Sequence, residues 1–189
     1  MISEALQALY AGERERGEAL LVPGHETVFE AAAFGRVARL RELLSEQPEL
    51  VRSWSEDGFT PLHLACFAGG PEATRLLVER GADLEALSKA SFTKVRPLGT
   101  AAFARDHESA RVLLEAGAEP SGPGEGGFTP LHTAAQNGDV ELVRLLLLFG
   151  ADPGAAAADG RTPAVLAREA GHEECAALLE RETWPEKTS

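Results

Sequence analysis

"GFTPLHLACFAGGPEATRLLVERGADLEA", Gly58–Ala86, is the stretch on which the fold turns, because the chain says it again. "GFTPLHTAAQNGDVELVRLLLLFGADPGA", Gly127–Ala155, follows it almost position for position. Between them a decayed copy, "KVRPLGTAAFARDHESARVLLEAGAEPSG", runs from Lys94 to Gly122, and "GRTPAVLAREAGHEECAALLERE" begins at Gly160. The prolines that mark the register, Pro61, Pro97, Pro130 and Pro163, lie 36, 33 and 33 residues apart. The three extra residues of the first interval (36 − 33) fall around Ser91–Thr93. A fixed period of this length is the mark of stacked units.

Each copy reads as a pair of helices. Thr60-Pro61 and Thr129-Pro130 start the first: the hydroxyl caps free N–H groups, and proline takes the first helical position without losing a bond. The second is amphipathic, with Val140, Val143, Leu146 and Leu147 at spacings of three and four. It ends at Gly81, Gly117 or Gly150, where a glycine enters the left-handed region without strain. Upstream, "FEAAAFGRVARLRELLSEQPELVRSWSED" from Phe29 keeps the two-helix pattern but lacks Thr-Pro-Leu-His. Earlier still, Leu20 and Leu21 follow Gly12 as Leu43 and Leu44 follow Gly35. That 23-residue interval is too short to hold a connecting finger.

The T-P-L-H-x-A pattern, as "TPLHLA" and "TPLHTA", at a period of 33 resembles the ankyrin repeat. The resemblance implies an all-α, ankyrin-type α-solenoid of about six helix-turn-helix units joined by short β-hairpin fingers. The expected division is a capping helix pair at 1–25, repeats at 26–57, 58–90, 91–126 and 127–159, a capping repeat at 160–182 and a tail at 183–189. No such unit buries its apolar face alone, so stacking is obligatory. Trp184 either covers the exposed face of the last unit or belongs to a disordered tail.

Several features invite a catalytic reading. Gly122, Gly124 and Gly127 have the G-x-G-x-x-G spacing of a dinucleotide-phosphate loop, but they follow a helical pattern where that fingerprint needs a strand, and Pro123 interrupts them. A glycine-rich finger is the simpler reading. His63 and His132 recur at one repeat position, and the resemblance implies a hydrogen bond inside the turn beside the threonine. "HEEC" from His172 has Cys175 where a zinc motif needs its second histidine. Cys66 occupies the place of Ala135 and reads as a small buried hydrophobe. No nucleophile–base pair stands out, so no enzyme activity, cofactor or metal is expected.

The chain has 30 acidic and 18 basic residues, a formal charge of −12, which disfavours nucleic acid and favours a partner with basic regions. Two isolated cysteines point to a reducing compartment. No secretory signal is visible and the apolar run "LLLLFGA" is too short for a bilayer, so a soluble, cytoplasmic protein without a membrane partner is expected. The Ala-, Gly-, Glu- and Arg-rich composition points to a GC-rich bacterial genome.

What the resemblance implies for function is a concave side that holds a protein or peptide, as an adaptor or regulator. The variable positions of such repeats fall here on Tyr10, Phe34, Phe67, Phe103, Gln136 and Asn137 along the first helices, and on Phe59, Phe92 and Phe128 at the fingers. Six of the eight phenylalanines lie at these positions, with the apolar part of the groove expected in the first four units. Phe59 and Phe128 have a competing structural role, packing sideways against the next finger. Lys94 and Arg96 belong to a segment, 89–111, that carries five bases (Lys89, Lys94, Arg96, Arg105, Arg111) against two acids (Asp106, Glu108), a charge of +3 inside an acidic chain. It is either a solvated face or a basic collar for an acidic group. A monomer is expected, with a homodimer through the apolar stripe as the other arrangement. The competing functions are an enzyme or metal protein whose site the linear sequence hides, and a self-associating structural protein.

Overall fold

A computed structural model of the chain describes residues 2–181. The end of the last unit at Glu182, Trp184 and the tail at 183–189 lie outside the described residues. Six helix pairs follow one another: α1 (Glu4–Tyr10) with α2 (Arg14–Leu20), α3 (Val28–Ala33) with α4 (Val37–Glu46), and α5 (Pro61–Leu64) with α6 (Pro71–Glu79). Then come α7 (Pro97–Ala104) with α8 (His107–Glu115), α9 (Pro130–Gln136) with α10 (Val140–Leu148), and α11 (Pro163–Glu169) with α12 (Glu173–Arg181). First helices pack on first helices, α3–α5–α7–α9–α11, and second on second, α4–α6–α8–α10–α12. The core is one leucine- and alanine-rich seam between these two rows, including Leu40, Leu62, Leu77, Leu98, Leu113 and Leu131.

The capping chemistry explains why the first helices begin where they do. Thr60 Oγ1 accepts the His63 backbone N–H at 3.4 Å, while the Thr60 N–H donates to His63 Nδ1 at 3.3 Å. Thr129 and His132 repeat this reciprocal box. The second unit reaches the same result with Thr27 and Glu30, whose carboxylate accepts the Thr27 N–H at 2.8 Å. The far ring nitrogen of each histidine then donates to the next unit: His63 Nε2 to the Val95 carbonyl at 3.0 Å, and His132 Nε2 to the Arg161 carbonyl at 3.1 Å.

The fingers carry less regular pairing than hairpins. Each is closed by single bonds such as Ser55 N–H to Phe59 O, 2.8 Å, and Ala157 N–H to Arg161 O, 2.9 Å. Neighbouring fingers are linked by Lys89 N–H to Gly58 O, Glu125 N–H to Lys94 O and Ala158 N–H to Gly126 O. Among the described residues these bonds never extend into a strand.

Between the second and third units backbone meets backbone. A Cβ on Gly69 would stand 1.9 Å from the Ala32 carbonyl, so only glycine allows the second and third units to close up. There α5 runs on through a π-helical turn, Ala65–Gly69. Elsewhere a left-handed residue separates the two helices of a unit, and in the fourth unit that residue is Arg105, with φ of 58°.

Candidate partner-binding groove

The first helices and the fingers enclose one open cavity of about 590 Å³. Tyr10, Phe59, Phe67, Phe92, Phe103 and Phe128 ring it, and Leu64, Val95, Lys94, Arg96, Thr100 and Thr133 complete much of the wall. Eight of the eleven partner-binding positions expected from the sequence are therefore brought to one place. Its volume lies within the range of ligand sites, whose usual make-up is an apolar surface with few polar groups.

Two phenylalanines stand out into solvent, Phe92 at 71% and Phe103 at 66% exposure. Phe67 is half-buried and meets the Tyr10 ring edge-on with centroids 5.9 Å apart. The Tyr10 hydroxyl donates to Asp57 Oδ2 at 2.7 Å; burial and this carboxylate hold the phenol protonated well above its usual range. Phe59 and Phe128 do both things asked of them. Phe59 packs on Phe92 of the next finger at 5.9 Å, Phe128 lies 5.8 Å from the Arg161 guanidinium, and both line the cavity.

Phe34 corrects the expected stripe. It is 3% exposed, sealed under the first helix pair. Gly17 of α2 sits against its ring, with room for no Cβ, since one would meet Phe34 Cζ at 2.8 Å. Arg14 stacks on the ring at 5.7 Å and donates to the Ala68 carbonyl at 2.8 Å. Apart from Tyr10 the groove's lining runs from Phe59 to Thr133, so it skips the second unit, occupies the third and fourth, and reaches into the start of the fifth. Gln136 is exposed and Asn137 half-buried, and neither reaches the cavity.

The bases of residues 89–111 are individually held. Lys89 lies 4.0 Å over the Trp54 ring, Arg96 pairs with Glu85 at 3.1 Å, Arg105 with Asp139 at 3.3 Å and Arg111 with Glu108 at 3.9 Å. Lys94 differs: its ammonium donates to the Ala90 carbonyl at 2.9 Å and has no carboxylate within pairing distance among the described residues. Arg96 Nε is buried without an acceptor.

The catalytic decoys resolve into structure. The amides of Gly122, Gly124, Glu125 and Gly127 donate to the carbonyls of Glu119, Phe128, Lys94 and Gly124, so this finger does not cradle phosphate with them. Burial pushes the His63 imidazole down to about 4, and its ring already donates through Nε2 and accepts at Nδ1. His132 is shifted in the same direction, again chiefly by burial. His172 packs against Gly138, and both cysteine thiols are buried and unpaired. Burial pushes the Cys66 thiol well above its usual range, the opposite of a nucleophile. Among the described residues no helix is long and apolar enough to cross a membrane.

One structural signal went unread in the sequence. Where the third and fifth units have Thr-Pro-Leu-His, the fourth has Arg96-Pro97-Leu98-Gly99. Arg96 provides no side-chain cap, and Gly99 opens the cavity wall where its neighbours place a ring. The Phe128 carbonyl, one period after Val95, takes only the finger-closing Gly124 N–H at 2.7 Å, where the Val95 and Arg161 carbonyls accept a histidine as well.

A helical-repeat protein with an apolar groove on the finger side is the class these features define. The family model for ankyrin repeats (3 copies) matches residues 3–88, 28–123 and 98–186, and the chain belongs to that family. It is 38% identical over 63 residues to the NAD-capped RNA hydrolase NUDT12 of Homo sapiens, a match covering 33% of this chain and 14% of that protein. It is also 38% identical over 58 residues to the human ankyrin repeat domain-containing protein 49, covering 31% of this chain and 24% of the relative. The bovine form of the latter matches equally, at 38% over 58 residues. The chain spans less than a quarter of the length of these relatives, so the likeness concerns repeats and not whole proteins.

Proposed function

We propose that the chain is a non-enzymatic, cytoplasmic interaction module, an adaptor or regulator that holds a protein or peptide partner in this groove as a monomer. Ankyrin repeats are generic protein-interaction modules, and the observation that carries the reading is the convergence of six aromatic residues on one open cavity. Buried aromatics dominate interface energies, and an exposed apolar patch of this kind marks an interaction site on a protein that otherwise hides such surface. Phe67 and Phe103 are the anchors, and a standard interface would bury about 1,200–2,000 Å² in total. The test is affinity capture of a partner from native lysate, followed by titration of that purified partner against wild type and Phe67→Ala/Phe103→Ala. Affinity falls by about 2 kcal/mol or more in the double variant while helical circular dichroism is retained. Unchanged affinity overturns the anchors, and a mass that doubles with concentration in light scattering overturns the monomer.

A further inference from the structure

Resting on the interaction reading above, we infer that the groove receives an amphipathic helix from the partner, with an acidic residue beside its apolar stripe. The first argument is about backbone hydrogen bonds. The amides of Phe59, Lys94, Val95, Gly124, Glu125 and Phe128, all in the groove wall, already donate within the protein. The Lys94, Val95 and Phe128 carbonyls already accept. An extended segment gains its affinity from such groups by adding a strand, and of the finger amides in this wall only those of Phe92, Thr93 and Arg96 remain without an acceptor among the described residues, too few and too close together for a ladder. A helix needs no help, because it satisfies its own amides and presents only side chains at i, i+3 or i+4, and i+7. The cavity of about 590 Å³ is ringed by Phe67, Phe92, Phe103 and Phe128, an apolar lining that suits such side chains.

The second argument is charge. Lys94 lines the cavity with one donor on the Ala90 carbonyl and the rest of its ammonium without a carboxylate, and the buried Arg96 Nε beside it has no acceptor. Of the acidic side chains, Glu125 lines the cavity, and its carboxylate accepts the Lys94 backbone N–H. A carboxylate on the incoming helix, set next to its apolar stripe, meets Lys94 at the rim.

The experiment displays random 16-residue peptides and selects them on the full chain, counter-selecting on Phe67→Ala/Phe103→Ala. Expected clones carry Asp or Glu beside an i, i+4, i+7 apolar stripe, and their synthetic peptides gain helical circular dichroism on binding. Lys94→Gln weakens these peptides about fivefold at low salt, and the difference shrinks as salt rises. Groove-bound peptides that stay extended, lack an acid or ignore Lys94→Gln overturn the inference and leave the interaction reading standing. If no clone distinguishes wild type from the double alanine variant, the groove reading itself falls.

Discussion

Restoring the repeat pattern in the fourth unit, by Arg96→Thr with Gly99→His, should stabilise the protein and damage its groove. In the third unit the corresponding threonine and histidine make a reciprocal cap plus a ring bond to the next finger. A threonine cap contributes about 1 kcal/mol. The two ring bonds contribute about 1 kcal/mol each. Removing glycine from the first turn of α7 adds a few tenths more, by about half the usual glycine penalty of ~1 kcal/mol. Against this stand the Arg96–Glu85 pair, half-exposed and contributing about 0.5 kcal/mol, and a forced shift of Val95. Its Cγ2 would lie 2.8 Å from a Cβ at position 99, a strain costing about 1 kcal/mol. The balance is about 2 kcal/mol of added stability, a rise in Tm of roughly 4–8 °C for a chain of this size. Thermal and urea unfolding followed by circular dichroism read it directly. Gly99→His alone lacks the threonine and should gain much less. Partner affinity should fall, because the new ring occupies part of the cavity wall. A double variant that folds normally with an unchanged or lower Tm would refute the idea that this unit gave up stability for an opening.

Stability should also fall as the solution is acidified from about pH 6.5 towards 4. The unfolded chain protonates His63 near its ordinary value, about 6.5, while the folded imidazole resists down to about 4. In that window the unfolded state binds more protons, so His63 alone accounts for about 3 kcal/mol between the two ends. His132 shifts the same way and steepens the slope; His63→Gln should flatten the urea midpoint against pH, and an equally steep profile would exclude this origin. At Arg105 the left-handed φ of 58° predicts that Arg105→Gly is more stable than Arg105→Ala by about 1 kcal/mol, since both lose Asp139 and glycine alone escapes the strain. Equal urea midpoints for the two variants would count against strain there.

Most of the fold was legible because its punctuation is local. Thr-Pro and the helix-ending glycines act within one turn, and Gly81, Gly117 and Gly150 do take φ of 80°, 94° and 89°. The second unit's start was equally readable from Thr27 and Glu30 as a capping box, although it has no proline or histidine. Phe34 was not legible. Its exposure depends on Arg14 and Gly17, twenty and seventeen residues earlier, whose helix folds across the ring, and spacing says nothing of how a terminal pair tilts. The partners of the basic segment were hidden for a similar reason, since Lys89 finds Trp54 and Arg105 finds Asp139 on neighbouring units, while Lys94 keeps only a backbone carbonyl.

The place of the groove in the stack follows from how such arrays share stability. Each unit is held by its own capping and by its two neighbours. The fourth unit has lost its threonine, its histidine and its inter-helix glycine together. A unit so weakened would be held less firmly at an end, where one neighbour is missing. In the middle it is clamped from both sides: His63 of the third unit holds the Val95 carbonyl, and the Lys94 carbonyl takes the Glu125 N–H of the finger leading into the fifth. Its second helix keeps a full apolar face, with Ala110, Leu113 and Leu114 buried in the common seam. The first helix and finger are then free to diverge, and the three added residues at Ser91–Thr93 bring Phe92 out over Phe59. Decay of the repeat pattern and the making of the cavity are therefore one change, which intact neighbours on either side make affordable.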